Sequence, residues 1–106
     1  MEKDYIEEEI ATKKICFNKA CKQMILLNEK MRLLMERYYR AERAGHRSLR
    51  YNLRLRIAIV DALRRVYFEY ASAKKEEADT MLELLNNREK AEQMEGTMMD
   101  IDMSES

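Results

Sequence analysis

Apolar residues recur at alternating spacings of three and four along the first 44 residues, a period typical of a helix that packs along one face. Only Lys13 interrupts this stripe. Because the spacing is sustained over about five heptads, it predicts a coiled-coil seam. The seam consists of Ile6, Ile10, Phe17, Ala20, Met24, Leu27, Met31, Leu34, Tyr38 and Ala41.

A second apolar edge runs beside this seam and widens it. It consists of Ile25, Leu26, Leu33 and Met35. A stripe wider than a two-stranded seam indicates a helix that packs on more than one neighbour. We therefore expect a partner or self-association to complete the core, and we do not expect the isolated chain to stay a well-packed monomer.

The chain has no Pro and only two Gly residues, so a single break near its middle is the main interruption of helix propagation. The first helix is predicted over about residues 4–44, with Gly45 just past its end and Ser48 as the N-cap of a second helix over about 49–94. The fold class is therefore all-α, two long helices in an antiparallel hairpin or coiled coil, although one helix continuous through Gly45 is the alternative. The second seam is predicted at Leu53, Ile57, Val60, Leu63, Tyr67, Tyr70, Ala71, Ala78, Met81 and Leu85.

Two segments of the second half are ambiguous. Residues 53–59 alternate apolar and polar positions with period two, which is a strand pattern, but the chain offers no second strand to pair with it. Helix is therefore the favoured interpretation there. Residues 95–106 lack periodicity and are predicted to form a disordered acidic tail, either a docking segment or simple disorder.

Charge is zoned along a chain whose formal net charge is zero. Residues 1–9 carry five acids and one Lys, whereas residues 10–31 carry five Lys and one Glu. Residues 32–65 hold ten Arg against three acids, and residues 66–106 hold four basic residues against eleven acids. In a hairpin the acidic ends would meet, and the Arg-rich middle would form a basic tip at the turn.

The composition offers little for catalysis. His46 is the only His and stands in the predicted turn, and Cys16 and Cys21 are spaced as reduced packing residues rather than as a metal or redox pair. We therefore expect no enzyme activity, no catalytic or metal site, no cofactor and no small-molecule substrate. The acidic N-terminus and the lack of a run of about 18 apolar residues predict no signal peptide and no membrane association, and hence a nuclear or cytoplasmic location.

The predicted function is protein binding by the seam and the basic tip. Apolar contacts would be supplied by Leu27, Met31, Leu34, Tyr38, Leu53, Ile57, Val60 and Tyr67. The tip would steer an acidic and apolar protein surface through Arg47, Arg50, Tyr51, Arg54 and Arg56. Three alternatives remain open: an Arg- and Tyr-based nucleic-acid site, arginines that merely solvate the tip, and a self-assembling coiled coil in which two hairpins make a four-helix bundle.

One stretch of about thirty residues resembles the N-terminal helical region of the immediate early response family of nuclear regulators. That family's pattern is a Tyr, a Gly seven residues later, a Leu, an Asn-Leu pair, alternating aliphatics, an Ala and a closing Arg-x-[Leu/Val]-Tyr. The corresponding residues here are Tyr38, Gly45, Leu49, Asn52, Leu53, the run 55–59, Ala62, Arg64, Val66 and Tyr67. The match needs a one-residue insertion before Arg64, and the family's Pro- and Ser-rich tail is absent. The resemblance implies a non-catalytic adaptor that binds a regulatory subunit of protein phosphatase 2A and influences transcription.

Overall fold

The chain folds as a two-helix antiparallel hairpin. A computed structural model describes the backbone of residues 2–105 and the side chains of residues 3–94. Helix α1 spans Glu2–Ala44 and helix α2 spans Arg47–Glu105. Contacts between the helices pair residues whose numbers change in opposite directions: Lys3 meets Glu89, and Tyr38 meets Arg54. The predicted all-α hairpin is therefore confirmed, and a helix continuous through the turn is ruled out.

The molecule is long and thin because it consists of one pair of helices. Its radius of gyration is 25.0 Å and its longest dimension is 91 Å, whereas a compact domain of this length would have a radius of gyration of about 13 Å. The core is accordingly a single row of side chains, and none of those described is fully buried. The buried residues are Ile10, Ala20, Leu34, Ala41, Leu53, Val60, Ala71, Ala78 and Leu85.

The seam of α2 differs from its predicted course at two positions. Leu63 and Tyr70 were expected in the seam, but they are 44% and 43% exposed. The seam instead passes through Arg64 and Lys74, which are half-buried. The 3-4 spacing that begins at Leu53 continues through these two basic residues. Moving the seam from Arg64 to Leu63 would require α2 to rotate by about 100°.

The turn closes through glycine. Gly45 has a φ of 74°, in the left-handed region that favours glycine. Its N–H donates to the Glu42 carbonyl, and the His46 N–H donates to the Ala41 carbonyl, the two bonds of a Schellman cap. The prediction for Gly45 is confirmed, but that for Ser48 is wrong. The His46 carbonyl accepts the first bond of α2 from the Arg50 N–H, so His46 is the N-cap and Ser48 lies inside the helix.

Residues 53–59 are helical, which confirms the favoured interpretation of their alternating pattern. Leu53 and Ile57 face α1, whereas Leu55 and Ile59 are exposed. The period of two therefore arises from two apolar stripes on one helix. The backbone of α2 is helical to Glu105, past the predicted helix end near residue 94. The side chains of residues 95–106 are not described, so the docking role predicted for this acidic segment stays a prediction.

Candidate protein-interaction surface

A shallow groove runs between the two helices on one side of the hairpin, next to the turn. Arg37 and Arg56 line both of its adjoining hollows, of about 410 and 390 Å³, so the hollows are continuous. The hollow nearer the turn also contains Arg40 and Leu49. The hollow farther from it adds Lys30, Leu33 and Ile59. Each is large enough to receive several side chains of a docking segment.

Exposed apolar residues continue this groove away from the turn. Leu33 and Ile59 lie together in its second hollow. One heptad farther from the turn on each helix are Leu26 and Val66, which are 63% and 60% exposed. The bond between Arg64 and Asn28 fixes the register of the helices there, which places Leu26 and Val66 at the same level along the hairpin, one on each helix. We call Leu26, Leu33, Ile59 and Val66 the apolar ladder.

Lys30 on α1 and Leu63 on α2 stand at the middle of the ladder. Each lies three or four residues from the two ladder residues of its own helix, which is about one helical turn. Both side chains are exposed. A cation therefore stands at the centre of a surface that is otherwise apolar.

The arginines nearest the turn have no anionic partner among the described side chains, residues 3–94. Arg32, Arg64 and Arg65, farther from the turn, each form an ion pair with a nearby acid. Six others form no ion pair with any described side chain: Arg37, Arg40, Arg43, Arg47, Arg50 and Arg56. The basic tip is therefore uncompensated charge rather than an internal salt-bridge network.

The charge of the tip comes from its side chains, because the C-terminal end of the α1 dipole and the N-terminal end of the α2 dipole lie side by side at the turn and largely cancel. Helix α2 begins at Arg47 with no acid in its first turn. Arg37 and Arg56 also share one groove with no described carboxylate between them. Like charges at such flanking positions do not stabilise a coiled coil, so these arginines contribute little to holding the hairpin together.

Arg54 of α2 contacts Tyr38 of α1. Its guanidinium donates a hydrogen bond of 3.1 Å to the Tyr38 hydroxyl and lies 6.0 Å from the centroid of that ring. The hydrogen bond to Tyr38 is also the main cause that raises the pKa of Arg54. Arg54 therefore links the two helices near the turn, so it is not a free cation of the tip.

The residues predicted to bind a partner divide into two sets. Among those with apolar or aromatic side chains, Leu34, Leu53 and Val60 are buried in the seam, and Leu27, Met31, Tyr38, Ile57 and Tyr67 are half-buried. These side chains pack between the helices. The remaining predicted residues lie near the turn, where Arg47, Tyr51 and Arg56 are exposed and Arg50 is half-buried.

Two of the four residues of the apolar ladder were predicted from the sequence to be part of an apolar edge, and two were not. Leu26 and Leu33 belong to the second apolar edge of the first helix, whereas Ile59 and Val66 were not identified as surface residues. The signal that could have found Ile59 is the alternation at residues 53–59, which was weighed only as helix against strand. The ladder itself depends on the register between the helices.

A polar cluster occupies the seam in the half of the hairpin that carries the chain ends. The Lys13 ammonium lies 3.0 Å from a carboxylate oxygen of Glu77, which Lys74 also contacts at 3.3 Å. Hydrogen bonds from these two lysines lower the pKa of Glu77, and the bond to Glu77 raises the pKa of Lys13. Beside this cluster, a hydrogen bond with the Cys16 thiol raises the pKa of the Tyr70 phenol.

No group of three or more His, Cys, Asp or Glu residues within the described part of the chain is arranged to hold a metal ion. Over the same residues, neither helix contains a segment apolar enough to span a membrane. No protein-family model matches the chain, and no curated protein or solved structure shows significant similarity to it.

Proposed function

We propose that this protein is a non-catalytic helical interaction module, an adaptor or small subunit of a larger nuclear or cytosolic assembly. The observation that carries the proposal is a hairpin whose seam is already filled, yet which still exposes an apolar ladder beside unpaired arginines. Contiguous exposed apolar surface is typical of protein-binding sites. Uncompensated arginines would steer an acidic partner and orient it.

The test is capture of partners from a native lysate by the full chain, followed by mass spectrometry. A variant that combines Arg43→Glu, Arg47→Glu and Arg50→Glu should lose most of the captured protein while its helix content, measured by circular dichroism, is unchanged. A regulatory subunit of protein phosphatase 2A, implied by the family resemblance, is the first component to look for. Failure of the wild-type chain to retain any protein above a bead control would refute the proposal.

Nucleic-acid binding is a second candidate function, and one observation favours it. Tyr51 is exposed one turn along α2 from Arg47, so an aromatic ring stands beside an unpaired guanidinium. Such pairs bind single strands by stacking and phosphate contact. Fluorescence anisotropy with a labelled single strand of DNA or RNA tests this, and binding that persists at about 150 mM salt would support it.

A further inference from the structure

We propose that the groove beside the turn binds an acidic amphipathic helix of another protein, which lies along the hairpin as a third helix. This inference rests on the proposed function and specifies the partner's chemistry and its place. It depends on three features of one surface: the apolar ladder, the cation at its centre and the arginine pair at its end nearer the turn.

The shape of the site suits a helix. The ladder residues lie on both sides of the line between α1 and α2. The hollow that contains Leu33 and Ile59 and the hollow nearer the turn both follow that line. A helix laid in such a groove buries its apolar face against both walls, as in a three-helix bundle. The hairpin already supplies two of the three helices.

The charges select an acidic helix. Arg37 and Arg56 line the groove at the ladder's end nearer the turn, and Lys30 stands at its middle. Neither arginine pairs with a described carboxylate. A carboxylate of a bound helix placed between the two guanidiniums could pair with both and would compensate one of their two positive charges, and Arg forks are well suited to carboxylates.

The spacings define the pattern that the partner should carry. Arg37, Leu33 and Leu26 succeed one another along α1 at intervals of four and seven residues. A helix aligned with α1 therefore needs an acidic residue at one end, an apolar residue about one turn farther on, and a second apolar residue about two turns beyond that. An acid between the two apolar residues would meet Lys30.

A second copy of this chain fits the same surface poorly. Because Lys30 stands at the middle of the ladder, pairing two ladders about a twofold axis brings Lys30 close to its own copy. The arginine pair would then face the part of α1 beyond Leu26, where Lys19 is exposed. Charge complementarity therefore favours a different, acidic partner.

The experiment selects peptides against the full chain. A display library of amphipathic helical peptides has Leu or Ile fixed at the positions of one apolar stripe and the other positions randomised among Glu, Lys, Gln and Ala. We expect enrichment of Glu at one end of the stripe, about one turn from the first apolar residue. No enrichment, or selected peptides without a preference for acids there, would overturn the inference.

A charge exchange locates the site. The double variant Arg37→Glu with Arg56→Glu should weaken the selected peptides by at least about tenfold, and replacing their terminal Glu by Lys should restore binding to that variant. Restoration requires a folded hairpin, so it separates a lost contact from lost structure. Equal binding to the variant and the wild type would show that the peptides do not use this groove.

The matched control is Lys14→Glu with Lys75→Glu. It changes net charge by the same amount, and both lysines are exposed. Lys14 lies two heptads from Asn28 and Lys75 lies one heptad from Phe68, so each is on the same helix face as that residue. Asn28 and Phe68 line the groove on the opposite side of the hairpin. The control should bind the selected peptides within about twofold of the wild type, allowing for long-range attraction. A loss equal to that of the groove variant would mean that net charge, not this site, decides binding.

The same variants separate this inference from the proposed function. If the wild-type chain captures protein from lysate and the groove variant captures it equally well, the module binds elsewhere and only the third-helix inference fails. If the wild-type chain captures nothing, the proposed function fails as well. Conversion of a wild-type dimer to a monomer by the groove variant, seen by sedimentation, would make the occupant a second copy and overturn the inference.

Discussion

The half of the hairpin next to the turn and the half that carries the chain ends join the same two helices with different side chains. Next to the turn, Leu34, Ala41, Leu53 and Val60 form a buried cluster flanked by half-buried apolar residues. Toward the chain ends, three of the five buried seam positions are alanines, and the seam admits Lys13 and Lys74. The five are Ile10, Ala20, Ala71, Ala78 and Leu85. Larger apolar side chains bury more surface, so the turn half should be the more stable.

The kinds of contact between the helices also differ between the halves. Both interhelical ion pairs described, Lys3 with Glu89 and Lys13 with Glu77, lie toward the chain ends. Exposed ion pairs contribute little to stability. The turn half should therefore supply most of the stability, and it carries the groove. The other half is joined by Ile10 and Leu85 at its outer end and elsewhere mainly by alanines and ion pairs.

The largest expected effect follows removal of a core side chain from the turn half. Leu34→Ala should lower the free energy of unfolding by about 2–3 kcal/mol, because a buried Leu loses its contacts and leaves a gap. Urea denaturation followed by circular dichroism measures this. The matched control is Leu26→Ala, an exposed Leu on the same helix, which should change stability by less than about 0.5 kcal/mol. Equal effects would mean that the seam near the turn is not the stable core.

An intermediate effect is expected at the turn. Gly45→Ala should cost about 1–2 kcal/mol, because an L-residue is strained at a φ of 74°. A Cβ there meets nothing within 4 Å, so the cost comes from the backbone alone.

The control for the turn is Ser48→Ala. Because His46 is the N-cap, this replacement should be close to neutral in the same denaturation experiment. A loss of about 1 kcal/mol at Ser48 would restore it as the cap and contradict the observed helix start.

The smallest expected effect is the response of the end half to acid. The pKa of Glu77 is lowered by Lys13 and Lys74, so its stabilising contribution is present above its ordinary pKa of 4.5 and is lost as the pH falls through the lowered value. Hydrogen exchange near pH 7 and near pH 3.5, corrected for intrinsic rates, should show protection falling more around Lys13 and Glu77 than around Leu34 and Leu53.

Glu77→Gln sharpens this experiment. The variant keeps the size of the side chain but cannot ionise, so it should already show at neutral pH part of the lost protection and respond less to acid. Uniform loss of protection along the whole hairpin would contradict the comparison, because the two halves would then open as one unit.

Much of this fold could be predicted from particular residues. The 3-4 spacing of the first helix, the absence of Pro and the placement of Gly45 are local signals, and each corresponds to what the structure shows at α1 and the turn. Ser48 was mispredicted as the N-cap because Ser is a common capping residue. In the structure α2 begins directly after the glycine turn, and the His46 carbonyl accepts its first hydrogen bond. Leu63 was mispredicted because hydrophobicity alone cannot show that Arg64 occupies the seam.

The sequence by itself determined the helices, their reversal and the zoning of charge, because propensity, glycine conformation and side-chain charge are properties of single residues and near neighbours. Only the tertiary structure decided which apolar residues are core and which remain exposed, since that depends on the register between α1 and α2. The same register placed Arg37 beside Arg56 and aligned Leu33 with Ile59, residues far apart in the chain. The groove exists because two distant stripes meet at one side of the hairpin.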